Sequence, residues 1–274
     1  MQLPRISVVT PSYNQAAFLR KTLDSVVSQN YPNLEYIVID GGSTDGSADI
    51  LREYSSKLTY WVSEPDQGQS HAINKGFAHA TGEIMTWLNS DDLLLPDALH
   101  TVGEIFARYP QIQWLTGQPA NLDVYDTLRV APLKTGRFRA IIRRGWYHGR
   151  GLGFIRQEGT FWRRSLWEKA GASIDEAKHY AMDDDLWRRF AQHADLITVD
   201  MPLAAFRSQP EQKTAQLDHY YAEAGVKLPH ATRFVMLPFR AAFTLLSWRF
   251  APRVVRRDGE WRLIGNAIHN ETYA

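Results

Sequence analysis

The chain of 274 residues has no cysteine. Disulfides, thiolate metal sites and cysteine nucleophiles are excluded, and cysteine usage says nothing about compartment. No run of about 18 uncharged apolar residues occurs, so no transmembrane helix is expected. Met1-Gln2-Leu3-Pro4-Arg5 leads straight into strand-like Ile6-Ser7-Val8-Val9, without the basic and apolar regions of a signal peptide. A cytoplasmic protein is the expectation. The net charge is only +1, so no global field draws the chain to nucleic acid, and no nucleic-acid partner is expected. Neither a Gly-x-Gly-x-x-Gly nor a Gly-Lys-Ser phosphate loop is present. A phosphate-bearing ligand would therefore be held mainly through metal.

What remains is ordinary globular material, 44% hydrophobic and 22% charged, enough for one large α/β domain or a domain with an appendage. Nine Trp and twelve Tyr suit a well-filled core or stacking on a base or sugar. The first hundred residues alternate between two patterns. Strand-like segments lie at Arg5–Thr10, Leu34–Asp40, Leu58–Ser63 and Ile84–Leu88, and helical spacing at Ala16–Gln29, from Ser47 and at His71–Ala80. A β-α-β-α-β-α-β order predicts a parallel sheet with helices on both faces and a ligand site beyond the carboxyl ends of the strands. Polar clusters sit at those ends: Thr10–Asn14, Asp40–Asp45, Glu64–Ser70 and Asn89–Asp92. Asn14 is read as the cap of the first helix.

The last cluster carries two adjacent carboxylates at the tip of a buried strand. Such a pair is destabilised unless a cation joins it, and carboxylate oxygens suit Mg²⁺ or Mn²⁺. A plainer reading is that Asp91 or Asp92 caps a helix starting near Pro96. Asp40 can accept hydrogen bonds from a base or ribose, Tyr13 offers a stacking face, and Pro11 fixes the chain to present a carbonyl.

Ile6-Ser7-Val8-Val9-Thr10-Pro11-Ser12-Tyr13-Asn14, Ile37-Val38-Ile39-Asp40-Gly41-Gly42-Ser43-Thr44-Asp45-Gly46 and Asn89-Ser90-Asp91-Asp92, in this order, resemble the family 2 glycosyltransferases. The likeness is close over residues 4–100 and looser to about 215. It implies a GT-A (Rossmann-like) α/β fold, with a mostly parallel central sheet between helices and a helical C-terminal extension. It also implies a nucleotide-sugar donor, a divalent metal and inversion at the anomeric carbon. On this resemblance residues 1–225 form the catalytic domain, with 1–100 binding the donor and 101–225 the acceptor. Residues 226–274 are the helical extension. Pro11, Tyr13, Asn14, Asp40, Asp66, Asn74, Asn89 and Ser90 would contact the nucleotide sugar, and Asp91 the metal. Asn89 stands where the family has an Asp, which leaves Asp91 as the anchor and Asp92 behind it. Ile73 stands where relatives often carry Arg.

Ala98–Arg108 has helical spacing, Gln113–Gly117 reads as a strand and Leu122–Val130 as a polar hairpin arm. Arg137–Arg156 carries many arginines among glycines and aromatics, either a solvated loop or an acceptor contact and lid. Gln157–Trp167 leads into a helix and, in the family, lines the acceptor cleft. In Ala181-Met182-Asp183-Asp184-Asp185-Leu186-Trp187 three carboxylates open a helix and complement its dipole. Inverting transfer needs a carboxylate base, and the family position matches Asp183, with Asp184 as the alternative. Phe206–Thr214 resembles a family segment in which Gln209 replaces a His, and Lys213 would meet the leaving phosphate. Beyond Leu228 an apolar tail with six arginines is either a helix packed on the domain or a basic amphipathic helix on a membrane surface.

The reading is therefore an inverting, metal-dependent transferase. It moves a sugar from a nucleotide-sugar donor, UDP favoured, to a glycan or lipid-linked acceptor in cell-surface polysaccharide biosynthesis. It is cytoplasmic, with peripheral membrane contact through the C-terminal helix as an option. A nucleotidyltransferase and a non-catalytic nucleotide-sugar binder are the alternatives.

Overall fold

A computed structural model describes residues 2–123, 125–131, 136–209, 216–226 and 237–265. Four parallel strands, β1 (Ile6–Ser12), β2 (Leu34–Asp40), β3 (Tyr60–Ser63) and β4 (Ile84–Trp87), form one half of a nine-stranded sheet. Between them run α1 (Ala16–Val27), α2 (Ser47–Tyr54) and α3 (Gln69–His79). Strands β1, β2 and β4 are buried on both faces and β3, at the sheet's edge, partly so, which is why the inner strands read as near-continuous apolar runs. Side-chain alternation sends Ile6, Val8, Tyr36, Val38 and Ile84 to one face. There they meet Leu19, Leu23 and Val26 of α1, Leu51 of α2 and Leu99, Val102 and Ile105 of α4 (Ala98–Arg108). Val9, Ile37, Ile39, Met85 and Trp87 take the other face, under Ala72, Ile73 and Phe77 of α3. The approach of α3 to β1 is so close that a Cβ on Gly76 would come within 2.3 Å of Val9 Cγ1.

The small strands β5 (Leu93–Leu94), β7 (Ala120–Leu122), β8 (Leu128–Val130) and β11 (Ala204–Arg207) make a second sheet in the order β5-β11-β7-β8. The β7–β8 pair is the expected hairpin arm. The main sheet continues through β9 (Thr160–Arg163), β6 (Trp114–Thr116) and β10 (Leu196–Val199). Strand β9 sits between β4 and β6 and runs antiparallel to both. Its first residue therefore lies at the edge where its neighbours end. The sequence reading treated Gln157–Trp167 only as the approach to a helix; it is this central strand followed by α6 (Arg164–Lys169). Short α5 (Arg139–Arg143) and α7 (Met182–Phe190) cover the second face, with Trp162, Leu186, Trp187 and Phe190 in its core.

Helix α8 (Leu217–Glu223) packs Tyr220 and Tyr221 against Ala181. The C-terminal segment holds a helix, α9 (Leu237–Phe250), and in addition a hairpin, β12 (Arg253–Arg257) and β13 (Glu260–Ile264). The hairpin adds two strands to the main sheet through β10. Helix α9 buries Ser247, which accepts the Gly136 N–H at 3.2 Å, and Phe243 meets Phe138 edge-on at 6.0 Å. Along the same stripe, flanking Phe243, the side chains of Phe239, Leu246 and Phe250 are at least half exposed. No described helix is long and apolar enough to cross a membrane.

Candidate active site

The parallel strands deliver their polar ends to one edge. After β1, Tyr13 stands 63% exposed. Gly41, just after β2, lies under both Tyr13 and Asp66: a Cβ built there would be 2.9 Å from Asp66 Oδ2 and 3.2 Å from Tyr13 Cδ2. The absence of a side chain at Gly41 is what lets the aromatic ring and the carboxylate share one spot. Asp66 is held in turn by the Gly68 N–H on its Oδ1 at 2.7 Å.

Asp40 is fully buried beneath this spot. Its Oδ2 accepts the Ser43 N–H at 2.9 Å and the Ser63 hydroxyl at 2.7 Å, and its Oδ1 the Ser43 hydroxyl at 2.6 Å. It shapes the turn that presents Gly41. Pro11 is likewise buried, paired with Ile39. Asn14 adopts a φ of 52° and braces the same turn, its Oδ1 accepting the Thr44 N–H at 3.0 Å. It is not the cap of α1, as its sequence position suggested; Asp45 Oδ2 takes the Ala16 N–H at 2.8 Å instead. Asn74 is not part of the cluster. Its amide bonds both backbone groups of Ile174, at 3.0 and 2.8 Å, and Glu176 at 2.7 Å, tying α3 to that loop.

Beyond β4 the chain turns through Asn89-Ser90-Asp91-Asp92. Asn89 Oδ1 accepts from Gln69 at 2.7 Å, Ser90 is buried, and the Ser90 and Asp92 carbonyls accept the Thr22 hydroxyl at 2.8 Å each. Neither aspartate caps α4, whose flanking residue is Asp97. Asp92 is fully buried and accepts the Arg207 N–H at 2.9 Å and Asn89 Nδ2 at 3.2 Å. Burial, with Asp91 and Glu158 nearby, pushes its carboxyl well above the ordinary range. Asp91 is half-buried. Pairing of β5 with β11 brings the Arg207–Gln209 segment to it: Arg207 Nε donates to the Asp91 carbonyl at 2.8 Å, and Gln209 Nε2 to Asp91 Oδ2 at 2.5 Å. Lys213 lies outside the described residues.

The first turn of α7 supplies the other side. Asp184 pairs with Arg188 at 2.6 Å and Asp185 with Arg189 at 2.9 Å, each one helical turn on. The residue one turn after Asp183 is Trp187, so the helix gives Asp183 no such partner. Its Oδ1 accepts the Asp184 N–H at 2.8 Å. Burial, then Asp184 and Glu158, raise its pKa to about 7. Burial also raises Asp184, to about 6, against the pull of Arg188.

Glu158, which the sequence reading held only as part of the block lining the acceptor cleft in the family, lies within electrostatic reach of both groups. It acts electrostatically on Asp92 and Asp183 and feels Asp91. Glu158 sits in the turn that opens β9, next to Gln157, whose side-chain amide donates to the Trp87 carbonyl at the end of β4. No composition or spacing signal marks it; only the antiparallel insertion of β9 brings it to this edge.

Among the described residues no group of three or more His, Cys, Asp or Glu side chains is arranged as a complete metal cage. The donor set still fits a hard divalent cation. Asp91 offers a half-exposed carboxylate amid other negative charge, and Mg²⁺-type sites commonly use one or two carboxylates and take the remaining ligands from substrate phosphates and water.

An α/β sheet flanked by helices, with acidic strand-end loops converging at one edge, is the frame of a nucleotide-sugar-type transferase. The chain belongs to the glycosyl transferase family 2, whose profile matches residues 7–147. It is similar to an uncharacterized glycosyltransferase of Nostoc sp., 35% identical over 125 residues, which are 44% of this chain and 38% of that protein. It is also similar to TuaG of Bacillus subtilis, named for teichuronic acid biosynthesis, 37% identical over 99 residues, covering 35% of this chain and 39% of that protein. The matches thus span well under half of these relatives' own length. Among solved structures, Staphylococcus aureus TarS 1–349 in complex with UDP-GlcNAc superposes with a TM-score of 0.61 at 18% identity, covering 90% of this chain and 73% of that one. The mannosyltransferase PcManGT of Pyrobaculum calidifontis, in complex with GDP-Man and Mn²⁺, gives 0.56 at 21%, covering 90% and 74%. At these identities the likeness is one of fold.

Proposed function

We propose that this protein is an inverting glycosyltransferase. It moves a sugar from a nucleoside-diphosphate sugar, UDP-linked in the favoured case, to a hydroxyl of a glycan or lipid-linked acceptor during cell-surface polysaccharide synthesis. The observation that carries this reading is that Asp91 and Asp183, the latter without an arginine one turn along its helix, both lie within electrostatic reach of Glu158. Family membership, the UDP-GlcNAc and GDP-Man bound by its structural neighbours, and the polysaccharide role in TuaG's name support it.

In this mechanism the exposed Tyr13 ring stacks on the base, and Asp66 beside it accepts hydrogen bonds from the base edge. Asp40, Pro11 and Asn14 hold that platform rigid. Asn89 and Ser90 line the path of the ribose and diphosphate. Asp91 would hold Mn²⁺ or Mg²⁺, which would supply Lewis-acid neutralisation of the charge on the diphosphate. Asp183 takes the proton of the acceptor hydroxyl, and its raised pKa matches a base working near neutrality. The hydroxyl oxygen attacks the anomeric carbon from the face opposite the diphosphate. The carbon–oxygen bond to phosphate breaks with oxocarbenium character, and the nucleoside diphosphate leaves.

A lipid-linked acceptor is consistent with α9, whose exposed Phe239, Leu246 and Phe250 lie beside exposed Arg249, with Arg256 and Arg257 exposed on the following hairpin. Such a surface suits the interface of an anionic bilayer.

The test is incubation of purified protein with a panel of UDP- and GDP-sugars, Mn²⁺ and candidate glycan acceptors. Release of nucleoside diphosphate with an inverted anomeric product is expected. Pyrophosphate release would mean nucleotidyl transfer, binding without turnover a carrier, and a retained configuration would sink the single displacement.

A further inference from the structure

Two buried glutamates in this protein are treated in opposite ways. Glu35, 6% exposed, sits at the far edge of the sheet and receives hydrogen bonds from Ser7, from the Thr81 N–H and hydroxyl at 2.7 and 2.8 Å, and from the Gly82 N–H at 3.2 Å. Burial pushes its carboxyl up, but these donors outweigh it and hold the group below its ordinary value. Among the described residues Glu158, 4% exposed, receives only its own backbone N–H, and its Oε1 has no hydrogen-bond partner. Burial, the largest cause, and Asp91 raise it, against the pull of Arg156. That arginine is shared with other partners, donating to Asn121 Oδ1 at 2.9 Å and lying over the Phe206 ring at 4.8 Å. A buried acceptor without a donor is costly. The loop is nevertheless firmly fixed: Thr160 N–H bonds the Gln157 carbonyl at 3.0 Å, Gln157 donates to the Trp87 carbonyl, and Gly117 N–H bonds the Gly159 carbonyl at 3.0 Å.

The place of Glu158 indicates the missing donor. Given the reading above, the diphosphate lies at Asp91 and the acceptor hydroxyl at Asp183, so the transferred sugar occupies the space between. A hexose presents hydroxyl donors there. We propose that Glu158 is a sugar-recognising residue, its carboxylate accepting hydroxyl hydrogen bonds from the donor's hexose, and that the transferred sugar is therefore neutral rather than a uronic acid. A sugar carboxylate would add another negative charge beside Asp91, Glu158 and Asp183, where the nearby Arg156 is already engaged by Asn121 and the Phe206 ring.

This inference rests on the glycosyltransferase reading, and titration calorimetry of the full chain with Mn²⁺ separates the two. The probes are UDP, GDP, UDP-glucose, UDP-N-acetylglucosamine, GDP-mannose and UDP-glucuronate, each sugar compared with its bare nucleotide. Wild type is expected to bind at least one neutral donor more tightly than the bare nucleotide, and UDP-glucuronate no more tightly than UDP. Glu158→Gln should leave bare-nucleotide affinity unchanged, weaken the neutral donor roughly tenfold and narrow its lead over UDP-glucuronate. Glu158→Asp, which keeps the charge but withdraws it, should show the same donor-specific loss and guards against misfolding of the first variant. Undiminished neutral-donor affinity in both variants, or a wild-type preference for UDP-glucuronate, would overturn the role of Glu158 alone. A wild type that binds no nucleotide would overturn the transferase reading and this role together.

Discussion

Trp87, the last residue of β4, stacks on Trp187 of α7 with ring centroids 5.9 Å apart and planes 12° from parallel. Trp162 of β9 meets both edge-on, at 5.6 and 5.9 Å. The strand that ends in Asn89–Asp92 and the helix that begins at Asp183 are thus joined through one aromatic cluster. Since packed interiors transmit small displacements rather than absorb them, this contact sets the spacing between the proposed metal anchor and the proposed base. Trp187→Ala should destabilise the protein by roughly 3–5 kcal/mol and lower transfer further than the unfolded fraction explains. Trp187→Phe should recover most of both. Urea unfolding beside initial rates would show it, and an Ala variant with wild-type rates would separate the cluster from catalysis.

Asp183→Asn should lower transfer roughly 10²–10⁴-fold while donor affinity changes little. Asp184→Asn should cost far less activity, because Arg188 already occupies that carboxylate. Single-turnover rates with matched donor titrations distinguish the two, and equal losses would reopen the choice of base.

The pH dependence follows from the raised pKa of Asp183, about 7 against an ordinary 3.8. Between those values the folded protein holds a proton that the unfolded chain has released, so this group's contribution to stability falls as pH rises through that window. Asp183→Asn should therefore gain thermal stability relative to wild type on going from pH 5 to pH 8. In the active enzyme kcat/KM should rise with pH along a limb centred near 7. A flat difference in melting temperature across that range would contradict the assignment.

Gly41→Ala should fold but bind nucleotide roughly tenfold more weakly, because the new methyl would displace Asp66 and Tyr13 together. Calorimetry with UDP and GDP measures it directly. Unchanged affinity for both would remove Tyr13 and Asp66 from the base platform.

Chelation with EDTA should abolish transfer, and Asp91→Ala should remove the Mn²⁺-dependent part of nucleotide binding while sparing any metal-free part. Full activity in chelator would eliminate the metal role.

On anionic vesicles, Phe239→Asp and Leu246→Asp should reduce co-sedimentation, and salt should weaken wild-type binding by screening the arginines. Equal sedimentation of wild type and variants would leave α9 as a packing helix only.

The sequence by itself determined the parallel half of the sheet, the helices on both faces and the edge at which the polar loops meet. These follow from local periodicity and from short connections, which are written along the chain. The i to i+4 pairing that leaves Asp183 apart from Asp184 and Asp185 was also local, and visible in Trp187-Arg188-Arg189. The tertiary structure alone decided the rest. It showed that Asn74 bonds a loop a hundred residues away, that Asp92 is a buried carboxyl held by Arg207 rather than a helix cap, and that Gln209 reaches Asp91. It brought Glu158 to the site through a strand inserted against the direction of its neighbours. None of these has a local signature, because each arises from packing or strand pairing between segments far apart in sequence, where long-range packing rather than residue order chooses the neighbour.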